Sequence, residues 1–87
     1  MDYRLQLLPS AARQLKKLPR HDKRRIRDAI DSLMSNPRPS GANKLVGTDD
    51  QWRVRVGTYR IIYEIHDDRL LVLVIRVGHR KDVYRSE

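Results

Sequence analysis

No cysteine occurs anywhere in the 87 residues. That excludes disulfide staples and thiolate-bound metal, and it fits a protein that works in a reducing compartment. No apolar run approaches the roughly 20 residues that a membrane-spanning helix needs. The opening stretch, MDYRLQLLPSAARQ, lacks the uninterrupted apolar core of a secretory signal. These absences predict a soluble, cytoplasmic protein with no membrane partner. His21, His66 and His79 are scattered without ligand-like spacing, so neither a metal site nor a cofactor is expected. Repeats, linkers and low-complexity tracts are missing too. A chain this short makes one domain, residues 1–87, burying only about 60% of its unfolded surface.

Negative charge is the other shortage. Eleven Asp and Glu stand against nineteen Lys and Arg, a formal net charge of +8. Such a balance points to a polyanionic partner, nucleic acid first, or to an acidic protein that covers the surface. Eight basic side chains fall between Arg13 and Arg27, with Asp22 the one acid among them. Part of that is the wet side of two helices. Eight like charges nonetheless repel, and an RNA backbone would release counterions on meeting them. Lys16, Lys17, Arg20, Lys23, Arg24 and Arg27 are the expected contacts, with Lys44 adding to either surface.

What is present is periodic. Tyr3, Leu5 and Leu7 alternate with Arg4 and Gln6, a short strand ending at Pro9. Ser10 reads as the N-cap of a short helix that carries Ala11, Ala12, Leu15 and Leu18 and stops before Pro19. Ile26, Ala29, Ile30, Leu33 and Met34 form the buried stripe of a second helix, from about Asp22 to Ser35. Residues 37–50 read as a loop with Leu45 and Val46 tucked against the core. Leu70 to Val77 is apolar on both faces and belongs in the middle of a sheet, with Asp67-Asp68 supplying the turn before it. The order is βααβββ: an α+β domain, its antiparallel sheet carrying two N-terminal helices on one face.

The most informative stretch begins at Trp52. Trp52, Val54 and Val56 alternate with Arg53 and Arg55, and Gly57-Thr58 suits a two-residue type II′ loop. That loop sets Val56 against Tyr59, Arg55 against Arg60, Val54 against Ile61 and Arg53 against Ile62. Two guanidiniums about 5 Å apart repel by roughly 3 kcal/mol at an effective dielectric of 20. A phosphate diester lying over them turns that cost into binding. The plainer alternative is a solvated face with each arginine paired to Glu64 or an aspartate. Trp52 reads as core, and Tyr84 either packs the tail onto the sheet or stacks on a base. His79 is either a surface residue after the last strand or, with an ordinary pKa near 6.5, a proton carrier.

Three strings together resemble the RelE toxins of type II toxin–antitoxin systems: NKLVG from Asn43, WRVRVGTYRIIYEI from Trp52 and VIRVGHRKDVYR from Val74. The resemblance covers nearly the whole chain. It implies an mRNA interferase that enters the ribosomal A site and cuts by attack of the ribose 2′-OH, leaving a 2′,3′-cyclic phosphate and a 5′-OH without a metal. By it, Arg53 and Arg55 take the places of two strand-borne basic residues, usually lysine. Arg60 takes that of the arginine stabilising the transition state, Arg80 that of the proton donor, and Tyr84 that of the residue stacking on the substrate. Arginine is a poor base, its pKa exceeding 12, so His79 is the candidate proton carrier. The implied partners are an acidic RelB-like antitoxin, the ribosome with its RNA and mRNA, and operator DNA through the antitoxin complex. Two alternatives stay open: a ParE-like inhibitor of DNA gyrase that cuts nothing, and a catalytically silent relative.

Overall fold

The computed structural model describes residues 2–79. In chain order the elements are β1 (Arg4–Leu7), α1 (Pro9–Lys16), α2 (Arg20–Ser32), β2 (Asn43–Lys44), β3 (Gln51–Val56), β4 (Tyr59–His66) and β5 (Leu71–His79). The five strands form one sheet in the order β1-β5-β4-β3-β2. This is the expected α+β architecture.

The hairpin of β3 and β4 follows from its loop. Gly57 has φ +61° while Thr58 stays out of the left-handed region, the type II′ pattern that matches strand twist. Val56 therefore faces Tyr59, Arg55 faces Arg60, Val54 faces Ile61 and Arg53 faces Ile62. The next pairing carries a bulge: Ile62 faces Arg76 but Tyr63 faces Val74, leaving Ile75 as the extra residue. Strict alternation from Val72 and Val74 would turn Val77 to the opposite face. The inserted residue brings all three to the helix side, each at most 1% exposed.

Four features differ from the sequence expectation. The sheet is mixed rather than antiparallel throughout, because β1 pairs parallel with β5, Leu5 against Val72 and Leu7 against Val74. Parallel neighbours need a crossover, and α1 and α2 lie in the one that separates these strands. Leu8, not Ser10, is the N-cap of α1, with Pro9 at the first helical position, where its fixed φ suits the helix. The Ser10 hydroxyl faces the carbonyl of bulge residue Ile75 instead, at 3.5 Å. Helix α2 starts directly behind Pro19 and yields to a turn at Leu33. The loop after it contains the two-residue strand β2, and Val46 is fully exposed rather than tucked in. Thr48 N–H donates to the Leu45 carbonyl and Gly47 takes φ +84°, a tight turn with Val46 at its outer corner.

The core lies between the helices and one sheet face. Ala11, Ile26, Ile30 and Leu33 pack on Ile61, Tyr63, Ile65, Val72, Val74 and Val77, each large side chain worth about 1.5–3 kcal/mol when fully buried. Burial pushes the Tyr63 phenol up to about 12, and its hydroxyl donates to the Pro37 carbonyl at 2.7 Å. Trp52 packs at the core margin as expected, with the Arg38 guanidinium 5.3 Å from its ring centre. No helix among the described residues is long and apolar enough to cross a membrane.

Asp67 closes the far end of the sheet. It accepts from Arg38 at 2.7 Å and from the Tyr3 hydroxyl, tying β1, the loop after α2 and the β4–β5 turn together. These two hydrogen bonds, Arg38 first, hold its carboxyl below the ordinary carboxylate range. A depressed folded-state pKa gives stability that is present above the unfolded value and lost as pH falls through the folded one. Melting temperature should therefore drop as pH falls below about 4, and more shallowly in Asp67→Asn. Thermal denaturation of both proteins from pH 6 to pH 2.5 measures the difference.

Candidate nucleic-acid interface

The sheet face away from the helices carries two rows of arginine. In one row Arg53 and Arg76 flank Ile62; in the next, Arg55 faces Arg60, which faces Gly78. Opposed side chains start about 5 Å apart and successive rows about 7 Å apart. Four guanidiniums from three strands thus share one patch. Arg76 was not among the candidates read from the sequence, since its face depends on the bulge. Glu64 is engaged by His66 at 2.7 Å and Gln51 at 3.5 Å.

The face is less open than the sequence suggests. Arg55 is exposed and makes no ion pair among the described residues, and Arg53 is half-buried. Arg60 is only 3% exposed, so Arg55 is the accessible member of the opposed pair. A guanidinium stays charged even when buried, and its field is screened less there. This arrangement suits a phosphate, whose non-bridging oxygens take paired N–H donors.

His79 departs from the arrangement expected for a proton carrier beside those arginines. It pairs with Tyr59, and the rings meet edge to face at 5.9 Å. Tyr59 belongs to the helix side, where it packs on the core. The imidazole therefore lies on the opposite sheet face from Arg55 and Arg60, because side chains alternate along β5 after Gly78. Arg80 and Tyr84 lie outside the described residues.

A second basic surface sits on α2. Arg20, Lys23, Arg24 and Arg27 line one concavity of 570 Å³ together with His21. Lys16 joins Lys23 and Arg27 at a neighbouring groove whose apolar lining includes Leu5, Leu7 and Leu15. Lys17 is exposed outside both, and Lys44 stands apart on the edge strand β2. Five of the seven predicted RNA contacts are therefore brought together.

Two contacts lock α2 over the hairpin tip. The Tyr59 hydroxyl donates to Asp22 at 3.1 Å, and burial, then this bond, pushes the phenol's pKa up. The Arg25 guanidinium lies over Gly57, with a nitrogen 2.8 Å from where a Cβ would stand. Nothing in the local sequence marks Arg25 for this role, which arises only from helix and hairpin meeting. Elsewhere, Asp50, Glu64 and His66 place ligand-type atoms within 4.8 Å of one another. They are the group among the described residues with donors suited to a cation. The direct Glu64–His66 hydrogen bond fills the space between two of those donors.

Comparison with known proteins identifies the family. A family model described as the ParE toxin of the type II toxin–antitoxin system parDE matches residues 5–84. The chain belongs to the RelE/ParE family of type II toxins. Toxin RelG of Mycobacterium tuberculosis is 35% identical over 89 residues, covering 98% of this chain and 99% of that protein. The mRNA interferase toxin RelE of Escherichia coli is 30% identical over 89 residues, covering 100% and 90%. Among solved structures, the RelBE2 toxin–antitoxin complex of M. tuberculosis matches with TM-score 0.81 at 28% identity, covering 92% of this chain and 100% of that one. An archaeal RelE–RelB complex from Pyrococcus horikoshii also gives 0.81, at 29% identity, covering 92% and 97%. This RelE/ParE fold is thus the scaffold on which both basic surfaces are displayed.

The opposed arginines depend on Gly57. Alanine there must hold a left-handed φ, costing about 1–2 kcal/mol, and must displace Arg25. Gly57→Ala should lower unfolding stability by at least that amount in urea denaturation. Removing the guanidinium with Arg25→Ala in the same background should recover part of the loss.

Proposed function

We propose that this RelE/ParE toxin is a ribosome-dependent mRNA interferase, neutralised by an acidic RelB-like antitoxin. The observation that carries the reading is the direct opposition of Arg55 and Arg60 beside Arg53 and Arg76, on the face opposite α1 and α2. The relative named mRNA interferase toxin RelE, matched along the full chain, supports it. In the reaction the 2′-oxygen attacks the adjacent phosphorus and gives its proton to solvent water as the P–O5′ bond breaks. The 5′-oxygen then takes a proton, leaving a 2′,3′-cyclic phosphate and a 5′-OH. Arg53 and Arg55 hold the non-bridging oxygens, and Arg60 stabilises the charge that grows on them. Arg80 remains the proposed proton donor and Tyr84 the proposed stacking residue. His79, on the other face, has no part in this assignment.

Neither arginine row contains a carboxylate or an imidazole among the described residues. The described residues thus supply charge stabilisation more readily than a strong base. In-line orientation of the 2′-OH is then left to the partner that holds the mRNA. That division of labour is the physical reason to include the ribosome. The α2 patch of Arg20, Lys23, Arg24 and Arg27, with Lys16, Lys17 and Lys44, contacts ribosomal RNA. The antitoxin covers the basic surface, and the complex with it is what reaches operator DNA. The solved relatives that are toxin–antitoxin complexes support this partner.

A second reading is a ParE-like inhibitor of DNA gyrase without nuclease activity, favoured by the description of the matching family model. One experiment separates the two. Wild type, Arg55→Ala and Arg80→Ala are added to a purified translation system, with and without ribosomes, and mRNA ends are mapped by primer extension. We expect ribosome-dependent cuts within codons, cyclic phosphate ends, and a loss of about 10²–10³ in rate for Arg55→Ala. Growth arrest with intact mRNA, and inhibited supercoiling by purified gyrase, would overturn the interferase in favour of the second reading.

A further inference from the structure

A groove of 420 Å³ opens beside the arginine rows. Ile62 and Ile75 contribute to its lining from the sheet, Leu45 and Val46 from the loop after β2, and Gln51 and Arg76 add polar groups. Ile62 stands between Arg53 and Arg76 in the strand register, so the groove continues directly from the arginine patch. Its nearest row is about 7 Å from the Arg55–Arg60 row, within the span of one nucleotide.

Its composition is unusual for a surface already rich in charge. Val46 is a large apolar side chain left fully exposed, and Ile75, the bulge residue, is only half-buried. Ile62 beneath them is only 4% exposed, so Val46 with the half-buried Leu45 and Ile75 presents the aliphatic surface next to the clustered guanidiniums. That combination matches a ligand that is part anion and part flat apolar ring. A single unstacked nucleotide has that form: its base offers two faces for apolar or guanidinium contact and an edge for hydrogen bonds. The Gln51 amide donates one N–H to Glu64 at 3.5 Å and keeps its second N–H and its carbonyl for that edge, while Arg76 supplies donors and a stacking plane.

We infer that this groove is the nucleobase subsite of the toxin, taking one unstacked base of the RNA whose phosphate the arginines engage. Gln51 and Arg76 set the base preference. Leu45, Val46 and Ile75, over the floor formed by Ile62, supply the apolar surface that makes a base, rather than a bare phosphate, the preferred occupant. The inference rests on the RNA reading above and adds where sequence selectivity resides.

The test is a binding experiment that does not require cleavage. Methyl-labelled protein is titrated with the four nucleoside 3′-monophosphates and, as a base-free control, with ribose 5-phosphate, followed by NMR. The nucleotides should shift the methyl resonances of Val46, Ile62 and Ile75, and ribose phosphate should not. Gln51→Ala and Arg76→Ala should change the ratio of dissociation constants among the four nucleotides at least five-fold. Arg55→Ala should weaken all four alike. Equal methyl shifts with and without a base, or a ranking untouched by both Gln51→Ala and Arg76→Ala, overturns the subsite. Base-dependent binding by a protein that cuts no mRNA upholds the subsite while the nuclease reading fails. Cleavage without base-dependent shifts defeats the subsite alone.

Discussion

The arginine face depends on one pairing, Arg55 directly across from Arg60. The pairing is fixed by the two-residue loop at Gly57-Thr58, because a hairpin of that length admits one register and a shift of one residue would turn both side chains over. Arg53 and Arg76 extend the same charge to the neighbouring row. The other face carries the apolar packing: Ile26, Ile30 and Leu33 close on five β-strand side chains that are almost fully buried, Ile61, Tyr63, Val72, Val74 and Val77. The apolar core and the arginine rows are thus assigned to opposite sides of one sheet.

The two basic surfaces fit a large polyanionic partner better than a small one. The α2 concavity lies on the helix layer, and the arginine rows lie on the opposite side of the sheet. A single phosphate could use only one of them. Asp22 and Arg25 connect the layers physically, since both hold α2 to the hairpin tip that sets the arginine register. In the proposed reading one surface seats the protein on structured RNA while the other meets the strand to be cut. An acidic antitoxin that covers either would remove the same charges from use.

How much of this was legible in the sequence follows the range of the forces involved. The β3–β4 register was fully readable, because alternation and loop length are local. The stripe on α2 was also readable, with Ile26, Ile30 and Leu33 all buried. The bulge at Ile75 was not. It answers the need to bury Val77 beside Val74, a packing demand that a run of apolar residues does not express. Missing it meant missing Arg76 as a member of the arginine face. His79 was misplaced for a related reason: resemblance supplied its neighbour Arg80, but alternation after Gly78 sends the imidazole to the Tyr59 side. Val46 was expected inside because it is apolar, yet the turn at Gly47 turns it outward. The parallel entry of β1 beside β5 came from tertiary assembly alone.

The central claim is that Arg55 and Arg60 are kept opposed, at a cost to stability, in order to hold an RNA phosphate. The most direct measurement is urea denaturation of wild type and Arg55→Gln in low salt, each alone and with a short RNA made uncleavable by one 2′-deoxy position. The account predicts that Arg55→Gln is the more stable protein without RNA, by up to about 1 kcal/mol after screening. It also predicts that RNA stabilises the wild type distinctly more than the variant. A variant no more stable than wild type, and equally stabilised by RNA, would contradict it.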